Sequence, residues 1–201
     1  LNVVVKIYAV SIAEVIIMSD TKTKRKFKTI DVVYIGLSAA LIAVCSWIAI
    51  PLPSVSITLQ TMGVVLVSAL FGAKRGTLAT IVYILIGAIG LPVFSNFKGG
   101  IGVLAGSTGG YIIGFIFTAI IVGVVADKTN KVWALVVSMV AGILVCYAFG
   151  TAWFAYVYAK TSGAQPLMTI LGWCVFPFLL PDAAKIVVAT ILAKKLKKFI
   201  K

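Results

Sequence analysis

The chain has no histidine, only five acidic residues and three cysteines among its 201 residues. Without imidazole there is no H-E-x-x-H zinc site and no serine–histidine pair, so the common metal-assisted and nucleophilic hydrolases are excluded. Cys45, Cys146 and Cys174 are scattered in apolar segments with no C-x-x-C, which argues against a metal centre or a disulfide framework and reads as small core side chains. The G-x-x-x-x-G-K-[ST] signature of a nucleotide-binding loop is also missing, as is G-x-G-x-x-G. A self-energised pump and an intramembrane protease are therefore disfavoured. No catalytic residue, metal or cofactor is expected, and the chain reads as a non-enzyme.

Charge of either sign is scarce as well, at 11% of residues against about a quarter in soluble domains. The chain is 62% hydrophobic, with a mean hydropathy of +1.16. This is the composition of an integral membrane protein. A bilayer core about 30 Å thick takes roughly 20 apolar residues per helix, which leaves room for about six spans with short loops. The expected fold is all-α, with six transmembrane helices. The net charge of +13 sits mostly at the chain ends and in two short loops, so it signals membrane orientation and not nucleic acid.

Three regions are expected: a basic cytoplasmic segment over 1–29, a membrane domain over 30–195 and a basic cytoplasmic tail over 196–201. Within the first, residues 1–17 are apolar but hold Lys6 and Glu14, and Met18 follows directly. A native start at Met18 accounts for this stretch; the alternative is an amphipathic surface helix. Spans are predicted over 30–50, closed by Pro51 and Pro53, then 57–71, closed by a loop at 72–76, and 77–89, stopped at Gly90-Leu91-Pro92. A Gly-rich external loop over 94–110 separates the third span from a fourth at 111–125. The fifth covers 132–159. A single helix over 167–193 would be about 40 Å long, beyond the hydrocarbon core, so Pro177 and Pro181 are expected to break it. That leaves a short, partly re-entrant segment at 167–180 and a sixth span starting at Pro181. Loop lysines and arginines fall on one side of this arrangement, with Lys98 and Lys160 as the exceptions, so both termini are expected in the cytoplasm of a multi-pass plasma-membrane protein.

Asp182 and Lys185 then become the leading candidates. A charge at mid-bilayer depth costs on the order of 2.5–3.5 kcal/mol, so an intramembrane pair is a functional-site hypothesis by default. Three residues apart on a helix, the two share a face; a purely structural ion pair is the plainer alternative. The glycines of 99–110 let backbone approach a ligand closely and suggest a pocket wall, or an ordinary loop. Gln60 and Thr61 put polar groups at the outer start of the second span, to bind a ligand or cap a helix. Ala39 and Ala43 lie one turn apart on the first span, a docking face for another membrane protein or simple internal packing.

Taken together, Gly90-Leu91-Pro92-Val93-Phe94, Lys98-Gly99-Gly100 through Thr108-Gly109-Gly110-Tyr111, Ile57-Thr58-Leu59-Gln60-Thr61 and Leu180-Pro181-Asp182-Ala183-Ala184-Lys185 resemble the BioY family over roughly residues 30–195. These are the biotin-binding substrate (S) components of energy-coupling-factor (ECF) vitamin transporters. The resemblance implies biotin as ligand, membrane lipids around it, and a transmembrane coupling subunit with two ATPase subunits as partners. It makes Asp182 and Lys185 the pocket's acidic and basic residues, brings Lys98, Gly99, Gly100, Tyr111 and Gln60 to the ligand, and turns Ala39 and Ala43 into the coupling signature. Ile112 stands where an arginine can stand in the family, and Lys98 where an asparagine can, so Lys98 is the expected replacement cation for the ligand carboxylate. The competing readings are an S component for another vitamin, such as riboflavin or thiamine, and a stand-alone facilitator or channel.

Overall fold

The computed structural model describes residues 28–51 and 55–200; the expected start at Met18 and most of the basic N-terminal segment lie outside the described residues. Leu1–Val32 and Val33–Lys201 form two separate units. In the first, the Asp31 carboxylate accepts the Lys28 backbone N–H at 2.9 Å, which caps a helix start.

Helix α1 spans Thr29–Trp47 and turns Ile35, Ala39, Ile42 and Ala43 into a core shared with Val64, Val67, Ala79 and Tyr83. The fold is all-α as expected, with one small ribbon after the first span: β1, Ala49–Ile50, pairs antiparallel with β2, Ile57–Thr58, in the register Ala49↔Thr58.

Helix α2 covers Gln60–Ala88 but is broken at Gly72, whose φ of 77° and ψ of −176° are non-helical. The break reverses the chain. A Cβ at Gly76 would come within 2.7 Å of the Ser68 Cα, whereas eight residues of continuous helix rise about 12 Å. Gln60 likewise touches Tyr83 across 23 positions. The element is therefore two antiparallel spans, as the sequence predicts, but the expected loop at 72–76 shrinks to one glycine. Asp127 explains how so short a turn is held. Its Oδ2 accepts the Ala73 N–H at 2.9 Å, and a side chain on Gly72 would collide with its Oδ1 at 1.9 Å.

The Gly-rich segment is more ordered than a plain loop, with a 3-10 turn at Ser95–Phe97 and a short helix α3 at Ile101–Ala105. Helix α4, Gly109–Lys128, and α5, Val132–Ser162, pack closely because a Cβ on Gly114 would already lie 2.9 Å from the Cys146 sulfur. Small residues permit such approach where no hydrophobic force drives helices together.

The last region corrects the expected break. Helix α6, Leu167–Cys174, ends at Val175 (φ −123°, ψ −55°), and α7 runs over Phe176–Ile200 with Pro181 inside it. Pro177 falls in the first turn, where the missing N–H leaves no bond unmade; Pro181 removes only the bond to the carbonyl of residue 177. Proline here marks a helix beginning one turn earlier than expected. Among the described residues six spans result, counting α2 as two and α6–α7 as one.

Candidate functional site

Asp182 sits about 9 Å along α7, 3% exposed, with Lys185 6% exposed beside it. Their ion pair measures 2.6 Å from Lys185 Nζ to Asp182 Oδ1. Two other helices complete the pair's shell. Thr61, at the start of α2, donates to Asp182 Oδ1 at 3.2 Å and accepts from Lys185 Nζ at 3.3 Å. Tyr147 of α5 donates its hydroxyl to Asp182 Oδ2. A buried pair is tolerable only when its remaining lone pairs and protons are met, and these contacts meet most of them.

Both charged residues line a cavity of about 260 Å³, just below the roughly 300–1,000 Å³ common for small-molecule sites. A carboxylate offers about four acceptor positions and an ammonium three N–H groups. Three of the first and two of the second are occupied by Thr61, Tyr147 and the pair itself. One acceptor position at Asp182 and one N–H at Lys185 are left for a ligand. One part of the wall is apolar and aromatic, with Tyr111, Ile112, Phe115, Ile143 and Phe178, while Ser56, Thr58, Ser95, Asn96 and Thr108 bring polar groups to another.

Of the other residues singled out in the sequence, Gln60, Tyr111 and Lys98 line the same cavity. Tyr111 is fixed by a 2.9 Å hydrogen bond with Thr151. Lys98 is exposed, on a loop anchored by Phe94, whose ring meets Tyr83 edge-on at 5.6 Å. The neighbouring Asn96 and Phe97 adopt positive φ of 57° and 55°. They are held there by a 3.0 Å bond from Asn96 to Ser56 and by stacking of Phe97 on Trp47 at 5.3 Å.

Gly99 and Gly100 stand beside the cavity-lining Lys98 and are not themselves in the wall. Gly99 is small because a Cβ there would meet the Leu91 carbonyl oxygen at 2.3 Å, and Gly100 (φ 97°) donates its N–H to the Gly87 carbonyl at 2.7 Å. They shape the loop that carries Lys98. Ala39 and Ala43 follow the second of the two sequence readings, internal packing. At 3% and 7% exposure they pack inside the chain, where they offer no surface to a partner. The outward side of α1 instead carries Gly36 and Ala40, at the same one-turn spacing. Tyr147 and Tyr83 were missed in the sequence, although a hydroxyl within an apolar span must find a partner and so points to a polar interior.

The fold and site define a class: a multi-span helical membrane protein with a buried ion pair at a small, partly apolar cavity. The model of the BioY family matches residues 19–201, and the chain belongs to that family. It is 42% identical over 163 residues to the biotin transporter BioY of Thermotoga maritima, covering 81% of this chain and 93% of that protein. It is 34% identical over 180 residues to the biotin transporter BioY of Rhodobacter capsulatus, covering 84% and 94%. A crystal structure of the S-component for biotin from an ECF-type ABC transporter superposes with a TM-score of 0.74 at 25% identity, over 84% of this chain and 90% of that one.

Proposed function

We propose that this chain is the substrate-specificity subunit of an ECF-type vitamin transporter, which captures biotin from outside and delivers it through an ATP-driven coupling module. The observation that carries this reading is the Asp182–Lys185 pair in its cavity, with one acceptor position and one N–H left over. A ureido ring presents N–H donors beside a carbonyl acceptor, and charged groups make the stronger hydrogen bonds to each. The thiophane ring and valerate chain fit the wall of Ile112, Phe115 and Ile143, and Lys98 at the rim meets the carboxylate.

The relatives carry transporter names and the sequence holds no nucleotide-binding loop. Both favour a transport role in which a transmembrane coupling subunit and two ATPase subunits supply the energy within the lipid bilayer. The lysine and arginine distribution supports cytoplasmic termini. With Ala39 and Ala43 inward, Gly36 and Ala40 become the close-approach positions for the coupling subunit.

Equilibrium titration of the detergent-purified protein with biotin, riboflavin and thiamine tests the reading, and biotin alone should bind. Retention of either other vitamin in its place would reassign the ligand. Biotin flux into proteoliposomes that hold this chain and no ATPase would mark a facilitator.

A further inference from the structure

Behind the cavity wall runs a polar chain that the ion pair does not use. Gln60 Nε2 lies 2.7 Å from the Tyr83 hydroxyl oxygen, which in turn lies 3.1 Å from the Val93 carbonyl oxygen. Ser46 Oγ approaches the same carbonyl at 2.5 Å. All three side chains are interior, with Ser46 at 0%, Tyr83 at 1% and Gln60 at 5% exposure.

A carbonyl can only accept, and a phenol has a single proton. If that proton pointed to Gln60, lone pairs of Tyr83 and Val93 would face each other at 3.1 Å in a low-dielectric interior, where an unmade hydrogen bond is costly. The proton therefore goes to Val93, and the Tyr83 oxygen must accept from Gln60. A glutamine amide is oriented by the network around it, and this network presents its NH₂ to Tyr83. Its Oε1 is then left without a partner among the described residues while the side chain lines the cavity.

We infer that Tyr83 is a positioning residue that locks Gln60 as a hydrogen-bond acceptor toward the ligand, so that Gln60 selects for an N–H group at that point of the cavity. The inference rests on the proposed biotin reading. Gln60 immediately precedes Thr61, which touches both members of the pair. Asp182 supplies one free acceptor position, Gln60 the second and Lys185 a free donor. A ureido ring carries two N–H groups and one carbonyl, and each meets its complement.

The test is the ratio of dissociation constants between biotin and each of its two mono-N-methylated ureido derivatives, for the wild type, Tyr83→Phe and Gln60→Met. Tyr83→Phe frees the amide to turn, and Gln60→Met removes the acceptor at similar volume. For one methyl regioisomer, both variants should narrow the discrimination by about fivefold or more; for the other, which faces Asp182, discrimination should persist. Were Tyr83→Phe too unstable to purify, Gln60→Met alone carries the same expectation. Equal weakening of biotin and both derivatives, with ratios unchanged, would show that Tyr83 and Gln60 merely support the wall and would overturn the inference. A wild type that binds no biotin would instead sink the functional reading itself.

Discussion

At the scale of single residues, function concentrates in groups whose burial would be costly if they were alone. Asp182→Asn removes the charge from a shell built for it, leaving Lys185 buried with a neutral partner and weakening the bonds from Thr61 and Tyr147. Breaking one partner of a buried pair costs the fold about 3–5 kcal/mol; the ligand itself loses a hydrogen bond to a charged group, about 1.5–3 kcal/mol, so biotin affinity should fall about tenfold or more in calorimetric titration. A loss within about threefold would remove the pair from the ligand site. Lys98 differs because it is exposed on the rim. Lys98→Ala should weaken biotin roughly fivefold, about 1 kcal/mol, and leave biotin amide nearly unaffected, because the amide lacks the carboxylate. Equal losses for the two ligands would reduce Lys98 to a loop-shaping role.

Among the elements, α1 separates packing from docking. Ala39 faces Val64, Val67 and Tyr83 in the core, so Ala39→Trp overpacks the interior, at a cost of about 1–3 kcal/mol. It should lower the melting temperature in detergent along with ligand binding. Ala40→Trp adds the same bulk on the outward side, where it should spare both melting temperature and biotin titration while abolishing uptake by the assembled transporter. Normal ATP-driven uptake by Ala40→Trp would show that the partner approaches elsewhere. The other decisive element is the turn at Gly72, where α2 doubles back under the hold of Asp127. It brings Gln60 and Thr61 at one end of α2 close to Tyr83 near the other, and the cavity depends on that reversal.

For the whole molecule, the arrangement predicts a sidedness. All three native cysteines are buried, so single introduced cysteines report cleanly. In intact cells, a membrane-impermeant maleimide should label Lys160→Cys from outside and should reach Lys198→Cys only after permeabilisation. The opposite pattern would invert the orientation and put the cavity mouth on the cytoplasmic side.

Much of this was legible in the chain itself. Apolar runs of bilayer length specify spanning helices, because backbone groups in lipid must satisfy one another within the helix. Two opposite charges within such a run mark a candidate site, because burying either alone is costly. The break before α7 was placed a turn late, since proline starts a helix as readily as it ends one, and only the neighbouring elements show which it does at Pro177 and Pro181. Tyr147, Tyr83 and the inward turn of Ala39 and Ala43 were equally beyond local reading. Sequence thus determined that this chain lies in a membrane as a helical bundle and that Asp182 and Lys185 share one face of a spanning helix. Tertiary structure alone decided which hydroxyls surround that pair, which face of α1 is free and which way the Gln60 amide points, because hydrogen-bond partners far apart in the chain meet only when the helices pack.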